Sequence, residues 1–180
     1  MIDEIMEFNR KFVEEKGYTP YLTSKYPDKK LAILTCMDTR LTELLPAALG
    51  IKNGDAKLIK NAGGVTTHPY GSVVRSLLVG ILELGVEEVM VIGHTDCGVQ
   101  GMDGKEMLEK LIERGIDKEH IDIVRHSGID LEKWLGGFDT VENSVHETVK
   151  ALKEHPLMPK DIRISGFIMN SETGLLTKLD

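Results

Sequence analysis

Leu31-Ala-Ile-Leu-Thr-Cys36 and Glu88-Val-Met-Val-Ile-Gly93 are the two runs on which the fold turns. Each is short and almost continuously apolar, the pattern of a strand buried on both faces of a parallel sheet. Working outward, Ala56–Ile59 reads as a shorter strand and Ile162–Met169 as the last one. Helical spacing fills the intervals. Ile2–Lys16 has apolar residues at 2, 5, 8, 12 and 13 and a stop at Gly17. Leu41–Leu49 reads as a short helix with Pro46 expected in its first turn, where a missing N–H costs little. Pro69 opens a helix that runs to Gly85, and Lys105–Glu113 is stopped by Gly115. Asp139–Glu154 is expected to start on an Asp139 N-cap, with Glu142 completing a capping box. Ser127–Phe138 is the least regular stretch, loop or short helix. Strands alternating with helices imply right-handed βαβ units, an α/β fold with a mainly parallel sheet. No repeat, low-complexity tract or linker interrupts it, so residues 1–180 are expected to form a single domain.

Bulk composition narrows the partners. The 180 residues carry a net charge of −7, and 41% are hydrophobic, enough for a core. An acidic chain with pI near 5.4 lacks the basic face that nucleic acid or an anionic membrane surface would need. Neither is expected as a partner. The first residues show no secretory pattern. The most apolar stretch, Ser72–Gly85, is too short to span a bilayer and contains Arg75 and Glu83. The expected location is cytoplasmic. Two cysteines do not make a disulfide framework.

Their placement is what carries chemistry. Cys36 ends the first strand, within C-M-D-T-R; His94 ends the third, within G-H-T-D-C-G, and Cys97 follows three residues later. In open parallel sheets, sites form at the carboxyl ends of strands. The first and third strands can be neighbours, which would bring the three side chains together. Two thiolates and an imidazole suit zinc, and three ligands leave a fourth position for water, unless Asp38 fills it. H-x-x-C alone is a weak signal; the strand-end placement of Cys36 strengthens it. Asp38 and Arg40 alternate with Cys36. They form either an ordinary surface ion pair or, beside a metal, an aimed carboxylate held ionised by its guanidinium. The loop Asn61-Ala62-Gly63-Gly64 either brings backbone N–H groups to a small ligand or is a plain tight turn. His68, just before Pro69, reads as a local cap and only weakly as a proton shuttle. His120, His126, His146 and His155 are expected to be solvated.

Taken together, C-M-D-T-R at 36–40, K-N-A-G-G at 60–64, R-S-L at 75–77, G-H-T-D-C-G at 93–98 and T-G at 173–174 resemble the β-class carbonic anhydrases. The likeness is to the short prokaryotic, Cab-like members, and it runs the length of the chain. The resemblance implies Zn2+ held by Cys36, His94 and Cys97, with Asp38 as a fourth ligand only in a closed state. It implies Asp38 and Arg40 as a catalytic dyad, and a mainly parallel sheet of four or five strands flanked by helices. It also implies a homodimer or higher homo-oligomer in which helix 1–17 lies on the partner. The activity implied is reversible hydration of carbon dioxide to bicarbonate and a proton. Asn61, Ala62 and Gly63 are the expected substrate-binding loop, and Met37 and Val65 its apolar wall. Two alternatives share the motifs: hydrolysis of carbon disulfide or carbonyl sulfide on the same scaffold, and a non-catalytic zinc-binding regulator. A thiol redox protein is disfavoured, because no C-x-x-C pair is present. Three departures from the family pattern stand out. The K-N-A-G-G loop carries no pocket glutamine of the plant type. Thr66-Thr-His-Pro-Tyr-Gly71 replaces acidic residues, and Asn170 replaces an aspartate before the terminal T-G.

Overall fold

In the computed structural model, which describes residues 1–179, β1 (Leu31–Cys36) lies between β2 (Ala56–Asn61) and β3 (Glu88–His94), parallel to both. β4 (Arg163–Met169) pairs parallel with β3, and β5 (Leu176–Lys178) closes the sheet antiparallel to β4. The order is β2-β1-β3-β4-β5. β1 and β3 are covered on both faces: Ile33, Leu34, Val91 and Ile92 are fully buried. This is why both read as uninterrupted apolar runs.

The described residues form seven helices: α1 (Ile2–Glu14), α2 (Leu41–Ala48), α3 (Ser72–Leu84), α4 (Gly104–Glu113), α5 (Lys118–His126), α6 (Leu131–Leu135) and α7 (Val141–Glu154). α3 packs on β1 and β2, and α7 on β3 and β4. The approach of α7 is set by two glycines. A Cβ on Gly93 would meet Val141 and Val145 at 2.7 and 2.8 Å, and one on Gly166 would meet Val145 at 2.7 Å. Glycine at 93 thus lets α7 seat directly behind the end of β3, where His94 begins the site. A second small core of Leu108, Ile121 and Leu131 joins α4, α5 and α6. No helix among the described residues is long and apolar enough to cross a membrane.

Several local expectations need correction. The sheet has five strands, within the expected four or five, but the residue pattern alone does not mark β5, after the turn at Glu172–Gly174, and β2 runs two residues further than expected, to Asn61. α1 stops at Glu14, because Lys16 takes a left-handed conformation (φ 56°) ahead of Gly17. Pro46 sits in the interior of α2 rather than its first turn. The helix ends two residues later and is anchored by buried Leu41 and Leu45, so the lost N–H interrupts little. α3 begins at Ser72 because Pro69–Gly71 is a separate turn, closed by Gly71 N–H donating to the His68 carbonyl (3.0 Å). The N-cap of α7 is Thr140, whose Oγ1 accepts from Asn143 N–H at 3.2 Å. That shift leaves Glu142 one residue short of the capping-box position. Asp139 instead accepts from Thr140 N–H and the Asn143 side chain, which hold its carboxyl below the usual range. His155 is buried, not solvated: Nε2 donates to the Pro69 carbonyl (2.8 Å) and Nδ1 accepts from Leu157 N–H (3.2 Å). The sequence pattern does not mark α5.

Candidate active site

β1 is followed by β2 on one side of it and adjoins β3 on the other, so the chain changes direction across the sheet between β1 and β3. Such a switch point opens a crevice at the carboxyl ends of the two strands. Cys36 is the last residue of β1 and His94 the last of β3. The buried Thr35 hydroxyl donates to the Ile92 carbonyl (2.9 Å) and fastens the two ends together. After His94 the chain turns through Asp96, whose φ of 54° is left-handed, and returns Cys97 to the same spot. The structure therefore brings together the three residues expected to converge. Cys36 Sγ and Cys97 Sγ lie 3.9 Å apart, and the donor atoms of all three lie within 4.8 Å of one another. All three side chains are buried.

The histidine shows what the cluster lacks. His94 Nδ1 faces the Thr95 carbonyl at 2.9 Å and takes the role of donor there. The other nitrogen, Nε2, then carries a lone pair, yet it is buried with no hydrogen-bond partner among the described residues. A buried polar atom left unpaired costs about 1–3 kcal/mol. An orphaned imidazole nitrogen facing two thiols fits the donor set of a zinc site with three protein ligands. Burial pushes the Cys36 thiol up, but His94 and the backbone N–H groups of Asp38 and Gly63 outweigh it and bring the thiol down to about 7. His94 moves up in return: burial opposes the charged ring, and the Cys36 thiolate beside it wins. Cys97 is pushed up by burial and by the neighbouring Cys36 charge. A cation between the sulfurs would relieve that repulsion.

Asp38 and Arg40 lie on the loop leaving β1. Asp38 Oδ1 accepts from Arg40 N–H (2.9 Å) and Nε (3.0 Å), and Oδ2 accepts from a terminal guanidinium nitrogen (2.8 Å). Arg40 holds the carboxyl far below the usual range, and partial burial does not reverse this. Asp38 Oδ2 lies 3.9 Å from the orphaned His94 Nε2. The other edge of the guanidinium grips Asp96, through Oδ2 at 2.8 Å and the backbone carbonyl at 2.7 Å. Asp96 was not foreseen from sequence. Its only signal there is a carboxylate inside the same G-H-T-D-C-G motif as the ligand pair.

The glycine loop follows β2. The Asn61 side chain donates to the Val65 carbonyl (2.7 Å) and accepts from Val65 N–H (3.1 Å), so it is committed to clamping the loop. Ala62 is exposed at the rim. Gly63 (φ 82°) faces the Cys36 sulfur with its N–H. Gly64 (φ 66°) lies against the backbone of Thr35 and Cys36. Met37 is 63% exposed, so within one chain it walls nothing, and Val65 is half-buried. His68 is exposed and its Nδ1 accepts from Tyr70 N–H (3.0 Å); it caps the separate turn before α3 and not the helix itself, whose N-cap is Gly71. Asn170 keeps the acceptor that an aspartate would supply: Oδ1 takes N–H bonds from Glu172 (3.0 Å) and Thr173 (2.8 Å).

A family model described as carbonic anhydrase matches residues 31–176, a span that runs from β1 to β5 and contains every residue of this cluster. The chain belongs to the β-carbonic anhydrases. It is 51% identical over 175 residues to a Bacillus subtilis protein named "Putative carbonic anhydrase YvdA", covering 97% of this chain and 89% of that one. The crystal structure of β-carbonic anhydrase isoform I from Trichomonas vaginalis superimposes with a TM-score of 0.88 at 35% identity, over 99% of this chain and 96% of that one. A carbon disulfide hydrolase of Acidithiobacillus thiooxidans is 33% identical over 161 residues, 83% of this chain and 72% of its own. This β-carbonic anhydrase is thus an enzyme on the mainly parallel five-stranded sheet of its family, with a Cys–His–Cys group able to hold a metal.

Proposed function

We propose that this β-carbonic anhydrase catalyses the reversible hydration of carbon dioxide to bicarbonate and a proton, with zinc held by Cys36, His94 and Cys97. One observation carries the reading: the buried, unpartnered His94 Nε2 faces two thiols, with an ionised carboxylate 3.9 Å away. A zinc ion held by these three residues would leave one position for a water and supply a lowered pKa for that water. The residues around it then have distinct tasks. Asp38, kept ionised by Arg40, is an acceptor only. It takes the hydrogen bond of the attacking oxygen and turns its lone pair toward the carbon. Arg40 stays charged at any working pH and holds Asp38 bidentate. Asp38 titrates far too low to store the released proton, so that proton leaves by another route. Asn61, Ala62 and Gly63 serve as the substrate-side loop, Gly63 through its backbone beside Cys36.

Carbon disulfide hydrolysis is the second reading, favoured by the similarity to the Acidithiobacillus hydrolase. A regulator that merely binds zinc needs no carboxylate clamped beside the ligands, and the Asp38–Arg40 arrangement speaks against it. The deciding experiment measures zinc content and turnover of both substrates on one preparation. Carbon dioxide hydration that disappears on chelation and returns with zinc supports the proposal. Turnover of carbon disulfide alone replaces it with the second reading.

We further infer a homodimer. Against the described residues of its own chain α1 buries none of its side chains, and Ile2, Ile5 and Phe8 are each more than half exposed. A helix with such an apolar stripe is stabilised mainly by packing against something, and a second copy supplies that face. Two buried free thiols fit a reducing, cytoplasmic setting.

A further inference from the structure

We propose that Asp96 is a positioning residue, which acts through Arg40 to fix where the Asp38 carboxylate stands relative to His94. The inference rests on the reading of Asp38 given above.

The geometry makes the case. Asp38 and Arg40 occupy one loop, and their bonds join residues two apart. Such bonds set the shape of that loop, but they cannot set its position over the neighbouring strand end. His94 ends β3, and Cys97 lies on the loop that follows it. Among the described residues, the polar bonds from the Asp38–Arg40 pair to that second loop are the two that Arg40 makes to Asp96, one to the side chain and one to the carbonyl. A guanidinium is a rigid plane, so fixing one edge fixes the other. One terminal nitrogen bridges directly, donating to Asp38 Oδ2 at 2.8 Å and to the Asp96 carbonyl at 2.7 Å.

Asp96 can supply both acceptors because of its backbone. It is one of three non-glycine residues with positive φ among the described residues. Aspartate tolerates the left-handed region better than most residues. In that conformation its carbonyl and carboxylate both reach Arg40. The Asp96 side chain is 86% exposed, so the ion pair adds little to stability. Its consequence is orientation. Released from its far anchor, Arg40 (39% exposed) carries Asp38 with it, and the carboxylate can drift toward the position that water needs.

The test uses the full-length zinc enzyme and its cobalt-substituted form, in Asp96→Gly, Asp96→Asn, Arg40→Ala and the Asp96→Gly/Arg40→Ala double variant. Glycine keeps the left-handed turn and the carbonyl; asparagine keeps the turn and a neutral acceptor. In Asp96→Gly, kcat for carbon dioxide hydration is expected to fall by about fivefold, the upper range for an exposed ion pair, with KM unchanged. Zinc content and thermal midpoint stay at wild-type values, and Asp96→Asn lies between the two. The cobalt visible spectrum of Asp96→Gly moves toward that of Arg40→Ala. In the Arg40→Ala background the same change has no further effect, as expected of residues acting in series. A wild-type spectrum and kcat in Asp96→Gly, or an equal loss in the Arg40→Ala background, overturns the proposal. If the wild-type enzyme does not hydrate carbon dioxide, the functional reading fails by itself. The cobalt spectra still decide the role of Asp96.

Discussion

Gly64→Ala separates backbone strain from damage to the metal cluster, provided Gly50→Ala is measured beside it. Both glycines are left-handed, with φ of 66° and 64°. For an alanine that conformation costs about 1–2 kcal/mol at either position. Gly50 has open space around it, and a Cβ there meets nothing within 4 Å. At Gly64 the same methyl would lie 2.9 Å from the Thr35 carbonyl carbon, 3.0 Å from the Cys36 nitrogen and 3.1 Å from Thr35 Cα. These are backbone atoms of β1, which cannot rotate away as a side chain can. Relieving such an overlap adds about 1–3 kcal/mol. The expected losses are therefore about 1–2 kcal/mol for Gly50→Ala and about 2–5 kcal/mol for Gly64→Ala. At about 2–4 °C per kcal/mol for a chain of this size, Gly50→Ala lowers the midpoint by a few degrees and Gly64→Ala by roughly 5–15 °C. The scans are run at one protein concentration and one free-zinc level, since both bias the midpoint. Because the displaced atoms carry Cys36, Gly64→Ala also loses zinc by elemental analysis, whereas Gly50→Ala keeps it. Equal midpoints and equal zinc in the two variants would refute the argument that β1 and the glycine loop are in contact so close that only glycine fits.

Arg40→Lys retains the charge but not the fork, so it cannot hold Asp38 and Asp96 together; hydration activity should fall on the order of 10²-fold with zinc retained, and Arg40→Ala should behave alike. Full activity in either variant sinks the orienting role, and zinc loss would make the residue structural. Cys97→Ser should lose most bound metal in elemental analysis. Zinc affinity should weaken as pH falls, because thiolates bind and thiols do not. Cys97, pushed up by burial, must release a proton across pH 7–9, about one decade in Kd per unit. Below about 7 Cys36 adds its own proton and the slope steepens, with His94 contributing as it too gains a proton. A pH-independent Kd in chelator competition would contradict this. Deleting residues 1–16 removes the exposed α1 stripe and should shift sedimentation from dimer toward monomer; an unaltered dimer would show that the helix is dispensable.

The parts legible in the sequence were those where burial is two-sided and the strand end is marked by chemistry. β1, β3 and β4 announce themselves as apolar runs, and Cys36 and His94 at the ends of β1 and β3 made their adjacency one possible arrangement, which the sheet order bears out. β5 was not legible because three residues, Leu176–Lys178, carry no periodicity; the strand exists through its pairing with β4. α5 mixes apolar and charged residues and buries only Ile121, so its signal is weak outside its contact with α4 and α6. His155 misled because imidazole is equally at home in water and in a core where both nitrogens find partners. Asp96 was hidden for a different reason. Its bond to Arg40 spans 56 positions, and it depends on a backbone turn that residue type alone does not disclose.

The separation of Cys36 and Cys97 by 61 positions makes the cluster more than a place for chemistry. An ion held by both would be a clasp that closes a long stretch of chain. In the chain-entropy picture, a cross-link over such a span removes about 4 kcal/mol of freedom from the unfolded ensemble. The clasp is also selective. A slip of one residue in the pairing of β1 with β3 would turn every β1 side chain to the opposite face and carry the Cys36 sulfur out of reach. Chains with that error could not be closed by the ion, whereas correctly paired chains could. Metal supply during synthesis would then act as a check on strand register, sorting nascent molecules before any substrate arrives.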